Sequence, residues 1–199
     1  MTIMYHEGNR RLQDRFASRK LADRLEEKLT RTAFTDDDKA FIESCPYFFL
    51  ASADADGRPD CSFKGGLPGF VRVTGASELA FPDYDGNGMF KSLGNVTVNA
   101  NVGLLFIALH DKPKRLRVNG TAQVSDSDPL IGETVGAQLI VRVSARTIFP
   151  NCPRYIPTMQ MTGPSIYTPQ PQCEAVEPAW KTFDSFKDVT PPRAPTWKG

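Results

Sequence analysis

The chain has 199 residues, 40% of them apolar, enough for one substantial core and one main domain. Its 24 Lys and Arg offset 23 Asp and Glu and are interleaved with them, so no basic stripe points to nucleic acid as a partner. No run approaches the roughly 18 apolar residues that cross a bilayer. The first eleven residues carry charges and no signal-peptide core, so a cytoplasmic protein without a membrane partner is expected.

Leu12, Phe16, Leu21, Leu25 and Leu29 recur at spacings near four between charged residues, which predicts one amphipathic helix over 7–30, packed on the body of the protein or on a partner. A second helix is predicted from Thr35, whose hydroxyl can cap the amides of Asp36 to Asp38, to Ser44, before Pro46. From Tyr47 the pattern turns to β. A strand over 47–53 runs into the turn-forming stretch 54–59, and short strands follow at 60–64, 70–74 and 78–81, each bounded by Gly, Pro or Asp. Such spacing favours a barrel over a parallel sheet.

A short helix is predicted over 89–99, entered through a glycine-rich turn, and the apolar run 102–109 reads as a buried strand. In 115–118 and again in 139–146, charged and apolar residues alternate, so each of these two strands presents a pair of arginines on one face. Beyond Phe149 the prolines multiply, at 150, 153, 157, 164, 169, 171, 178, 191, 192 and 195, and regular structure is hard to continue. Tyr167, Trp180, Phe183, Phe186 and Trp197 argue that this arm docks in part on a surface. The expected organisation is a helical extension over 1–44, a central domain over 45–156 and a Pro-rich arm over 157–199.

Cys45, Cys61, Cys152 and Cys173 are widely spaced and read as reduced thiols. His6 and His110, the only histidines, are not at zinc-ligand spacing from them, so no metal site is expected. Cys152 has no evident activating histidine, and His110 at a strand end reads as a polar terminus before it reads as a haem ligand.

Three places can carry chemistry. In Ser62-Phe63-Lys64-Gly65-Gly66-Leu67-Pro68-Gly69, glycines following a strand let a flat ligand approach the backbone, with Lys64 as a nearby cation; a plain hairpin loop is the competing reading. In the stretch from Phe81 to Asn95, free amides at a helix start, Asn87 as a cap, the Lys91 ammonium and the Ser92 hydroxyl can cradle one phosphate. A capped surface helix explains the same residues, and the P-loop spacing is absent. Arg117 and Arg142, on strands, can grip a phosphate or carboxylate, although strand arginines more often lie on a solvated face. Arg154 can cover a site or hold the arm.

The stretches FFLASADADGRPDCSFKGGLPG (48–69), LAFPDYDGNGMFKSLGN (79–95), NANVGLLFI (99–107), LRVNGTA (116–122) and FPNCPRY (149–155) resemble, in this order, the pyridoxamine 5'-phosphate oxidase-like FMN-binding family. The resemblance implies a mainly β, α+β fold: a six-stranded antiparallel split β-barrel with flanking helices. It also implies an FMN at the interface of a homodimer, with Ser62, Phe63, Lys64 and Gly65 along the isoalloxazine and Asn87, Lys91 and Ser92 at the phosphate. Arg117 is a weaker correspondence, and partner residues complete each site. The Arg- and His-containing C-terminal substrate segment of pyridoxamine phosphate oxidases has no counterpart in the Pro-rich arm, and Lys91-Ser92 stands where many relatives have an arginine-containing pair.

The expected function is therefore that of an FMN-dependent oxidoreductase acting on a small-molecule substrate or electron donor, with the flavin carrying the chemistry. A non-catalytic module for flavin binding, storage or sensing is the alternative. A structural dimer with an empty or haem-holding pocket is a third.

Overall fold

The computed structural model describes residues 2–109 and 112–192; His110 and Trp197 lie outside them. The predicted first helix is two helices, α1 (Glu7–Arg15) and α2 (Arg19–Leu29). The break is a Schellman-type stop: Ser18 N donates to Gln13 O at 2.8 Å and Ala17 N to Asp14 O at 3.1 Å, with Ala17 at φ +51°. Glycine is the residue that usually announces this stop, and it is missing here. Leu12, Phe16 and Leu21 remain exposed. Helix α3 (Asp36–Ser44) starts as expected: Thr35 Oγ1 accepts from Asp38 N, and the Asp38 carboxylate returns a bond to Thr35 N. Arg31 donates to both Asp38 oxygens at 2.8 Å.

The antiparallel sheet has seven strands, one more than expected: β1 (Tyr47–Ala53), β2 (Pro59–Gly65), β3 (Arg72–Gly75), β4 (Glu78–Tyr84), β5 (Asn101–Ala108), β6 (Lys114–Ser125) and β7 (Ala137–Pro150). Helix α4 (Lys91–Val98) joins β4 to β5, and a 3-10 turn, η1 (Pro129–Glu133), joins β6 to β7. The order is β2-β1-β5-β6-β7-β4-β3, with the short β3 paired only to β4 at one edge. The β1–β2 turn is set by Asp54, whose carboxylate accepts from Asp56 N and Arg58 N.

In that order β1 and β4 are separated by three strands, yet the Phe48 and Phe81 rings lie 4.9 Å apart, so the sheet curls onto itself around its core. Phe106 is 5.1 Å from Phe48, and all three phenylalanines are buried. Each contributes roughly 2–3 kcal/mol by leaving water. Strand β5, read as a buried strand, buries one face fully, with Val102, Leu104, Phe106 and Ala108 inward.

β6 and β7 run longer than the sequence pattern indicated because a bulge interrupts their alternation. Asn119 pairs with Thr147 and Gly120 with Ala145, leaving Arg146 as the extra residue. A Cβ on Gly120 would stand 2.0 Å from the Ser144 carbonyl oxygen, so only glycine lets the strands meet. Arg142, on the outer face of β7, is held by Asp128 and by Glu78 and has a structural role. No helix among the described residues is long and apolar enough to cross a membrane.

Candidate functional site

One cleft opens between β2 and the segment from the end of β4 to the start of α4, with a volume of about 430 Å³. Of the eight site residues expected from the sequence, Ser62, Phe63, Lys64, Gly65, Asn87, Lys91 and Ser92 line it. β2 is an edge strand paired only to β1, so its second edge carries backbone donors and acceptors without a strand partner. Phe63 stacks on Tyr47 at 5.4 Å and stays 62% exposed.

The opposite wall is built by α4. Leu93 and Val96 bury its inner face, and Asn95 Nδ2 donates to Ser52 Oγ at 3.1 Å, fixing the helix against β1. Its first residue, Lys91, is exposed. Asn87 caps the turn rather than the helix, accepting from Met89 N at 3.0 Å, while Phe90 precedes the helix in the left-handed region at φ +47°. A non-glycine residue there costs on the order of 1–3 kcal/mol and persists only because the surrounding structure holds it. Met89 and Phe90 give this wall an exposed apolar rim.

Several side chains in the cleft are already partnered. Lys64 Nζ lies 3.3 Å from Asp83 Oδ1 and is 19% exposed, and Gln138 donates to the other Asp83 oxygen at 2.9 Å. Ser92 Oγ is 2.9 Å from Asp60 Oδ2 and 2.8 Å from Ser62 Oγ. A carboxylate only accepts, so the Ser92 proton goes to Asp60. The glycines also differ from expectation: a Cβ on Gly66 would meet Phe70 Cγ at 2.5 Å, so the absent side chain makes room for the protein's own Phe70. Tyr84 borders the cleft with its phenol pushed up to about 12 by burial, the Arg72 charge opposing, and it remains a hydrogen-bond donor throughout the neutral range.

Arg117 is not brought to this cleft. The alternation that sends Leu116 and Val118 into the core turns Arg117 to the outer face, where it lines a second cavity with Arg115 and Arg146. Cys152 borders that cavity too. Cys45, by contrast, is buried in the core, which pushes its thiol up to about 12. Conversely, Asp60, Asp83, Tyr84, Phe70 and Gln138 line the cleft although the sequence did not single them out. The first three lie in or beside the motif stretches. Gln138 carries no local signal: it sits where the β4–β7 register slips between Asp83 and Tyr84.

The pyridoxamine 5'-phosphate oxidase family model matches residues 34–161, more than half of the chain. The protein belongs to this family. No curated protein sequence matches it. A candidate pyridoxamine 5'-phosphate oxidase from Lactobacillus delbrueckii is 21% identical, with 60% of this chain and 95% of that one covered and a TM-score of 0.48. HupZ of Group A Streptococcus is 17% identical over 59% of this chain and 93% of its own, with a TM-score of 0.47. HutZ, the heme storage protein of Vibrio cholerae, is 18% identical over 58% and 89%, with a TM-score of 0.40. Family membership places the matched segment from just before α3 through the whole sheet.

Proposed function

We propose that the protein is a homodimeric FMN-dependent oxidoreductase, with the flavin in the cleft between β2 and the β4–α4 turn. The observation that carries this reading is the meeting of seven sequence-selected residues in one cleft with an unpaired strand edge on one wall. A strand edge alternates donors and acceptors, as does the pyrimidine edge of an isoalloxazine, and Phe63, Met89 and Phe90 supply apolar contact for a flat ring.

The phosphate grip rests on fewer groups than the motif implies. With Ser92 donating to Asp60 and Lys64 paired to Asp83, the exposed Lys91 ammonium and the first amides of α4 would hold a terminal phosphate. When bound, FMN supplies hydride or electron transfer. The chain contributes a protonated Tyr84, a Lys64 fixed in place by Asp83, and an apolar rim at Met89 and Phe90.

The test is a near-ultraviolet and visible spectrum of the purified protein, with mass identification of whatever heat releases. Stoichiometric FMN is expected. A colourless protein that also refuses added FMN, or one that yields haem, would overturn the assignment. A flavin store or sensor would use the same residues, and turnover with NADH or NADPH separates it from an enzyme.

A further inference from the structure

None of the described residues beyond Ile148 is buried, so the Pro-rich arm lies on the surface and is held at separate points. Near its start, Met159 N donates to Leu109 O at 2.6 Å, just past the end of β5. Further on the arm winds into a 3-10 turn, η2 (Ala179–Thr182), and folds back on it. The Trp180 and Phe186 rings meet edge to face at 6.2 Å, and Phe186 N and Lys187 N both donate to Phe183 O at 2.9 Å.

This fold-back presents one cation to the body of the protein. Lys181 Nζ lies 2.6 Å from Asp85 Oδ2 and 3.2 Å from Glu177 Oε2, and its side chain is only 10% exposed. Asp85 follows β4 directly, between Tyr84 and Gly86 on the wall of the cleft. An exposed ion pair contributes little, but a covered ammonium between two carboxylates differs. Without it, Asp85 and Glu177 face each other as like charges. Removing the Lys181 charge therefore pushes the arm off the turn as well as untying it.

The turn needs holding from outside. Residues 85–90 are exposed, Gly88 stands at φ +73°, and Phe90 keeps a left-handed conformation that its surroundings must maintain. Gly86 and Gly88 widen the range of shapes open to the turn when it is loose. A ligand that closes on a loose turn loses affinity to the ordering of that turn, and one that meets an ordered turn keeps it.

We propose that Lys181 is a positioning residue for the cofactor: through Asp85, the arm straps the 84–90 turn into the shape that receives the FMN phosphate. This rests on the flavin reading of the cleft. With its ammonium between two carboxylates, Lys181 acts through Asp85 and not on the phosphate.

The test uses the full-length protein and two readouts: amide hydrogen exchange of residues 84–90 without FMN, and the dissociation constant for FMN. Lys181→Met keeps the stem and removes the charge, at a position outside the core. It is expected to speed exchange at the turn roughly fivefold or more and to weaken FMN about tenfold. Asp85→Asn is expected to act in the same direction, and the double variant to lose no more than Lys181→Met alone, because both changes remove one contact. Lys181→Arg keeps the charge and is expected to retain most of the affinity. The proposal is overturned if Lys181→Met leaves exchange at the turn unchanged, or if exchange quickens while FMN affinity holds. It is overturned too if the losses of the two single variants add, if Lys181→Arg fails like Lys181→Met, or if FMN binds more tightly once the strap is cut. In all of these the parent protein binds FMN and the flavin reading stands, whereas a parent that binds no FMN overturns both.

Discussion

Lys91 and Ser92 are neighbours in one motif, yet their surroundings assign them different work. The Lys91 ammonium stands exposed at the head of α4, while the Ser92 hydroxyl, 5% exposed, is committed to Asp60. Lys91→Ala should therefore weaken FMN binding by about 1.5–3 kcal/mol, the range of a charge-assisted hydrogen bond, with the melting temperature of the FMN-free protein unchanged. Ser92→Ala should do the reverse. It leaves Asp60 short of a donor and should cost about 1–3 kcal/mol of stability with little effect on flavin affinity. Fluorescence titration with FMN, paired with thermal melts of both variants, checks this, and equal flavin losses would restore Ser92 to the phosphate.

At the scale of elements, the break between α1 and α2 shows how a stop can form without its usual residue. Ala17 takes the left-handed conformation because two hydrogen bonds, from Ala17 and Ser18 back into α1, close the helix end. That conformation costs an L-residue roughly 1–2 kcal/mol, part of which glycine gives back through its looser unfolded chain. Ala17→Gly is expected to raise stability by about 0.5–1 kcal/mol, read as a shift in the urea midpoint with no change in slope. A loss of stability would mean that α1 and α2 are one helix in solution. The single-helix expectation came from apolar spacings near four; the one step of five, from Phe16 to Leu21, turns the apolar face by about 140° and falls at the break.

For the molecule as a whole, Arg142 links three distant parts of the chain. It reaches Glu78 on β4 and Asp128 before η1 from its own position on β7. Hydrogen bonding from Arg142 holds the Asp128 carboxyl below its ordinary value of 3.8, with desolvation opposing. The folded state thus binds fewer protons than the unfolded chain just below that value. The stabilisation is fully present above the ordinary value and is lost as pH falls through the lower, folded one. Asp128→Asn keeps an oxygen for the Leu130 amide but loses the charge, and should cost about 2 kcal/mol at neutral pH. As pH falls through that lowered, folded value the variant and the parent should converge, because the parent's carboxyl is then protonated as well. Urea melts across that range test it, and a constant difference would show that Arg142 does not set the pH dependence.

What the sequence determined by itself is local: Thr35 capping α3, the Asp54 turn, the strand of residues 47–53, the helix start near Lys91 and the order of motifs that marks the family. Each depends on residues a few positions apart, so propensity and periodicity record it. The tertiary structure alone decided how those pieces meet. Curling of the sheet brings Phe48 to Phe81 and β2 to the β4–α4 turn, a bulge at Gly120 resets the alternation of β7, and a register slip places Gln138 on Asp83. Arg117 shows the limit most directly: alternation along β6 identified its face, but only the fold could say that this face looks away from the cleft and into a second cavity. Pairings between residues tens of positions apart leave no periodic trace in either partner, which is the physical reason the site was legible as a set of residues and not as a shape.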